Sequence, residues 1–255
     1  MFRTSRSVLD KLTSLAITAD RDRDARVALH PWRRGVVGVI ASSVALLFSC
    51  FAGVAHAQVG INLSWDDCGT FGVASKAFAC NSNEGFNTLV ASFVAPPDVW
   101  PDHIIAVLDL QTSGAVLPDW WQFKNSGACR LSALRASTLF LGEPFNCHDY
   151  WGGGGTPGIN AYEPGFGSPN RARLKVSVSS AFEPSLPPSG TENYAFKLIL
   201  SNENSVGKGA CPGCQDGACI VLNSMELVQP VGLPRPVLTA PISRNHVTRH
   251  AGIPN

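Results

Sequence analysis

Arg171-Ala-Arg-Leu-Lys-Val-Ser-Val-Ser179 alternates along its whole length. Leu174, Val176 and Val178 point one way, and Arg173, Lys175 and Ser177 the other, the period of two that a half-wet β-strand imposes. Tyr194–Leu200 repeats it, with Tyr194, Phe196, Leu198 and Leu200 opposite Ala195, Lys197 and Ile199. Working outward, Val59–Trp65, Phe86–Val94, His103–Gln111, Ser137–Leu141, Cys219–Val228 and Pro236–Thr239 read as further strands. Gly, Pro, Asn and Ser punctuate them. No window has a helical period of useful length, and Ser132–Leu139 offers a turn or two at most. The chain is therefore expected to be all-β: a single antiparallel β-sandwich over residues 58–239, immunoglobulin-like or jelly-roll-like, stabilised by disulfides. Cys147–Asn170 reads as a long irregular loop, and residues 240–255 as a loose C-terminal tail.

Gly35–Ala57, GVVGVIASSVALLFSCFAGVAHA, fixes the compartment. It follows Arg33-Arg34, contains no charge and closes on Ala55-His56-Ala57. A basic flank, an apolar run and a small-x-small exit are the parts of a secretory signal. Residues 1–57 are thus read as a leader cleaved after Ala57, leaving no stable membrane span and a periplasmic or extracellular protein. The alternatives are a retained anchor, and a lipoprotein that begins at Cys50 after Leu47-Phe48-Ser49.

Eight of the 20 basic and four of the 19 acidic residues precede Gln58, so the remainder is weakly acidic. A domain of that charge without a basic stripe argues against nucleic-acid binding. Seven of the 8 cysteines follow the leader, at 68, 80, 129, 147, 211, 214 and 219. In an oxidising compartment their default state is paired. Proximity in sequence suggests 68–80 and 129–147. Cys211-Pro-Gly-Cys214 with Cys219 fits a structural disulfide with one cysteine left over. It also fits a thiolate metal site completed by Asp216, His148 or His246, or a redox pair.

No nucleophile elbow, zinc-protease helix or phosphate loop is present, and Pro169 after Ser168 spoils Gly165-Phe-Gly-Ser-Pro169 as an elbow. No cofactor is implied. Aromatics gather at Trp120, Trp121, Tyr150 and Trp151, beside amide and acidic residues, as on surfaces that stack sugar rings. On a strand, adjacent Trp120 and Trp121 would face opposite ways. The function expected is a non-enzymatic binding or structural module using these four residues, its partner a glycan or another envelope protein. The alternatives are a secreted glycan hydrolase using carboxylates such as Asp66, Asp67, Asp119 or Asp149, and a module that docks on a larger extracellular assembly.

NLSWDDCG (62–69), LPDWWQF (117–123), NCHDYW (146–151), NRARLKV (170–176), YAFKLIL (194–200) and CPGCQDGACIVLN (211–223) occur in this order. Together they resemble a group of uncharacterised secreted bacterial proteins that run from a leader through a WxDCG-like start to a CxxCxxxxC segment. The resemblance implies a secreted single domain and carries over no catalytic residue.

Overall fold

The computed structural model describes residues 58–124, 129–140, 146–180 and 190–251; the leader lies outside them. Eleven strands are present: β1 (Gly60–Trp65), β2 (Ser75–Phe78), β3 (Phe86–Val94), β4 (His103–Thr112), β5 (Leu134–Ser137), β6 (Gly155–Pro164), β7 (Arg171–Ser180), β8 (Asn193–Ser201), β9 (Ala218–Val228), β10 (Val237–Leu238) and β11 (His246–Ala251). They form two packed sheets, one ordered β1-β3-β8-β5 and the other β2-β11-β9-β4-β7-β6, with β10 beside the second half of β9. This is the expected β-sandwich. All pairings are antiparallel except β2 with β11, which run parallel.

The alternation at β7 does what its pattern dictates. Ala172, Leu174, Val176 and Val178 are buried between the sheets, facing Ile104, Ala106, Leu108 and Leu110 of β4 in the same layer. From the other sheet Leu63, Leu89, Phe93, Phe196 and Leu198 close the core. Each such side chain contributes about 1.5–3 kcal/mol of transfer free energy.

Several expected boundaries move. The strand expected from Ser137 begins instead three residues earlier, as β5, because Leu134 and Ala136 face the core while Arg135 faces out, and Leu141 lies outside the described residues; the helical turn expected near Ser132 does not form. Part of the loop expected from Cys147 is the ten-residue β6. As an edge strand it pairs only with β7, which is why Pro157 and Pro164 are tolerated. The tail expected from residue 240 is instead structural. Ile61 N–H donates to Ala240 O (3.0 Å), Ile242 N–H to Ile61 O (3.0 Å) and Leu63 N–H to Arg244 O (2.9 Å), so residues 240–244 line the free edge of β1. The chain then crosses to the other sheet as β11, between β2 and β9. Gly60 permits the approach, since a Cβ there would lie 2.4 Å from Ala240 O.

The disulfide partners are also corrected. Cys68 pairs with Cys147, Cys80 with Cys214 and Cys129 with Cys211. Cys219 is free. Each bridge joins segments that the sheets bring together from 79 to 134 residues apart, where proximity along the chain carries no information. Loops of that size make each bridge, taken singly, worth about 4–5 kcal/mol in the chain-entropy picture. Non-reducing peptide mapping is expected to return 68–147, 80–214 and 129–211, with Cys219 alone taking up an alkylating reagent after unfolding. Peptides linked 68–80 or 129–147 would refute this topology.

Candidate functional site

The four aromatics proposed as a platform are all interior: Trp120 and Trp121 are 0% exposed, Tyr150 and Trp151 5%. The polar atoms of three are used inward, while Trp121 Nε1 is buried with no hydrogen-bond partner. Trp120 Nε1 donates to Ser205 Oγ (2.9 Å), Trp151 Nε1 to Ala195 O (2.7 Å) and Tyr150 Oη to Pro101 O (2.7 Å). Trp120 and Trp121 lie in one turn of 3-10 helix, Asp119–Trp121, rather than on a strand. Three residues per turn leaves neighbouring side chains only about 120° apart, so both reach the core. A sugar-stacking surface built from these residues is ruled out by their burial.

Tyr150 packs on Trp151 and Phe93, whereas Trp120 and Trp121 pack beside two buried arginines that no sequence pattern singles out. Arg130 is 0% exposed and lies flat on Trp120, its guanidinium carbon 3.6 Å from the ring centre. It donates to Trp120 O (2.6 Å), Glu203 O (3.0 Å) and Ser201 O. Arg249, on β11, approaches the same cluster from the other side, 5.0 Å from Phe78, 5.5 Å from Trp120 and 5.9 Å from Trp121. It donates to Asp216 O (2.9 Å), and its Nη2 lies 2.9 Å from Cys80 Sγ and 3.6 Å from Cys214 Sγ. Among the described residues neither guanidinium has a carboxylate partner. Burial drives the Arg130 guanidinium down to about 9 and that of Arg249 to about 10, leaving both charged at neutral pH.

The CxxC segment has a structural explanation. Cys211 and Cys214 bond to different partners, so they form neither a local redox pair nor, with Cys219, a set of three thiolates. No metal-binding group of His, Cys, Asp and Glu occurs among the described residues. Gly213 has φ +99°, and a Cβ on it would fall 2.3 Å from Pro118. The glycine is there to seat this turn under the Trp120 segment, where Trp120 N–H donates to Pro212 O (2.9 Å).

The candidate carboxylates have local duties. Asp66 pairs with Lys76. Asp67 accepts from Cys68 N–H (2.7 Å), Tyr194 Oη (2.7 Å) and Asn146 Nδ2 (2.6 Å), tying the loop after β1 onto the outside of the four-stranded sheet. Asp149 caps Trp151 N–H (3.1 Å), and Asp119 accepts from Gln122 Nε2 (3.3 Å).

The two outer faces differ. On the four-stranded sheet, Cys68, Val90, Phe140 and Tyr194 form a second apolar cluster, with Phe140 stacked on Tyr194 at 4.2 Å. Glu192 Oε1 accepts from Asn62 Nδ2 (2.7 Å) and Ser92 Oγ (2.6 Å), and Asn62 Oδ1 in turn accepts from Ser243 N–H (2.8 Å). That face is roofed over much of its extent by loops. On the other sheet the strand register sets Ile105, Val107, Val221 and Val228 along adjoining β4 and β9, half-buried and facing out. Charged groups are interleaved with them, Glu226 opposite Ile105 and Asp109 opposite Val221, and are paired: Asp109 with Arg173 (2.7 Å) and Arg171 (3.4 Å), Lys175 with Glu163 (3.8 Å), and Arg235 with Glu226 (2.9 Å). Burial pushes the Asp109 carboxyl up, but the Arg173 hydrogen bond and the two arginine charges outweigh it and hold the group below its ordinary value. Arg173 also stacks on Phe166 at 3.7 Å. Cys219 lies on this face, between Thr248 and Gln111.

All 3 tyrosines of the chain, Tyr150, Tyr162 and Tyr194, are buried, and burial pushes each phenol well above its ordinary value. A raised folded pKa gives stability that is whole below about pH 10 and lost as the pH climbs past it. In an alkaline titration at pH 11, phenolate absorbance is therefore expected to stay absent until circular dichroism reports loss of the sheets. Smooth ionisation near pH 10 in the intact fold would overturn this placement.

No family model and no curated protein matches the chain. Among solved structures it is similar to the second type II cohesin module from the adaptor ScaA scaffoldin of Acetivibrio cellulolyticus, at 11% identity and a TM-score of 0.29, over 67% of this chain and 79% of that one.

Proposed function

We propose that this chain is an exported, non-enzymatic assembly module that docks on another folded protein through the outer face of its seven-stranded sheet. The observation that carries the reading is the asymmetry of the two faces. Disulfide-held loops roof one, while the other presents β-branched side chains from β4 and β9 interleaved with charged pairs. Non-obligate protein–protein interfaces mix apolar and polar surface in this way. Among the described residues, the outward positions of its strands carry no tryptophan or tyrosine on which a sugar ring would stack (Tyr162 of β6 faces the core), which favours a protein partner over a glycan.

Export rests on the leader at Gly35–Ala57, and the three disulfides support an oxidising destination. The exported chain is expected to begin at Gln58 by N-terminal sequencing; an intact leader or a lipidated Cys50 would refute the cleavage assigned here.

A photo-crosslinking residue at Ser177, on this face, is expected to give one discrete protein adduct in cells that export the chain. Val107→Arg should abolish it, and the same probe at Phe86 on the opposite sheet should not give it. Equal adducts from both faces, or insensitivity to Val107→Arg, would sink the docking reading. Release of reducing sugar from a glycan panel would replace it with the hydrolase.

A further inference from the structure

We infer that the Cys80–Cys214 bridge is a thiol–disulfide exchange site, poised for reduction by dithiols while the other two bridges persist. Arg249 is a buried cation whose Nε has no hydrogen-bond partner and which, among the described residues, makes no salt bridge, the carboxylate of Asp216 acting on it only through space. Its Nη2 lies 2.9 Å from Cys80 Sγ and 3.6 Å from Cys214 Sγ. Reduction supplies the missing counter-ion, because it places a thiolate beside the guanidinium. A cation next to the sulfur stabilises the thiolate and so favours the reduced pair.

Accessibility sets the order of events. Cys80 is partly exposed, whereas Cys214 is only 6% exposed. A thiolate of the dithiol attacks Cys80 Sγ, the bond between the two sulfurs breaks, and Cys214 leaves as a thiolate facing Arg249. The second thiol of the reductant then attacks its own sulfur in the mixed disulfide and expels Cys80 as a thiolate. The dithiol gives up two electrons and becomes a disulfide. Of its two protons one is taken up by the protein pair and one is released, because one thiolate stays paired with Arg249.

The other bridges lack this arrangement. Cys68 follows Asp67, whose carboxylate accepts from Cys68 N–H, and a neighbouring anion opposes thiolate formation. Arg130 adjoins Cys129 in sequence, but its guanidinium is committed to the carbonyls of Trp120, Ser201 and Glu203. The charged groups around Cys80–Cys214 are Arg249 from β11, Asp216 from the loop before β9 and Arg130 across the aromatic cluster; Lys76 of β2 is engaged by Asp66.

The test equilibrates the folded protein with mixtures of reduced and oxidised dithiothreitol, traps thiols by alkylation and maps all three bridges. Cys80–Cys214 is expected to open at a reduced-to-oxidised ratio at least about tenfold lower than the others. Its exchange constant should also rise about tenfold per pH unit between about pH 6 and 8, the mark of one released proton, while the other two stay flat. Arg249→Gln should remove both the selectivity and the pH dependence. If that variant does not fold, the pH series on the unaltered chain decides alone. Opening no earlier than the other bridges, or a constant that does not move with pH, overturns the assignment.

Discussion

The fold depends on the return of its last strand. Without β11, the four-residue β2 has no neighbour in its sheet, and the first half of β9 becomes a free edge. Val247 and Arg249 are the inward residues of β11, 0% and 2% exposed, and Trp65 Nε1 reaches across the core to donate to Thr248 O (2.9 Å). The contacts join residues in the sixties and seventies to residues in the two-forties. Loop closure of that length is entropically expensive and slow, and the bridge from Cys80 to Cys214 restrains the same region. The last strand and this bridge therefore act on one corner of the sandwich, with Arg249 in contact with both.

A second consequence follows from how the sheet edges are dealt with. The free side of β1 is lined by residues 240–244, and β6, the edge of the larger sheet, carries Pro157 and Pro164. Both devices discourage edge-to-edge pairing with other chains. Of the two faces one is already occupied by Phe140, the Cys68–Cys147 bridge and the Asp67–Tyr194 hydrogen bond. The geometry of the loops and the choice of interface are linked.

Much of the sandwich was legible in the sequence, because β7 buries one face and wets the other in strict alternation; β8 does so from Phe196 to Leu200, but a bulge at Ala195 turns Tyr194, expected beside Phe196, to the outer face. The strands that escaped lacked that signal for physical reasons. In β6, Gly155, Pro157, Gly158 and Pro164 look like breakers, yet an edge strand needs only half its ladder. In β11, His246-Val-Thr-Arg-His-Ala251 hides a buried position under an arginine, and no periodicity rule counts arginine as core. Trp120 and Trp121 misled in the opposite sense. Assigning them to a strand forced one outward, whereas a single 3-10 turn lets both inward. Disulfide partners were illegible in principle, since they report which strands meet and not which cysteines are near in the chain.

The buried arginines account for that last class of failure more generally. Residues 201–205 and the turn around Cys211–Cys214 have no sheet partners for much of their backbone. Arg130 satisfies Ser201 O, Glu203 O and Trp120 O at once, and Arg249 satisfies Asp216 O. A guanidinium has five N–H donors in a fixed fork, so it ties irregular segments together where no apolar side chain of the same volume would leave their carbonyls paired. Burying a cation this way is costly, as the depressed values of both arginines record. The ring of Trp120, with Arg130 against one side and Arg249 nearby, offsets part of that cost through its π face. Trp120 and Trp121, which read as part of a surface for ligands, thus answer the needs of two charges in the core, which sequence pattern alone does not reveal.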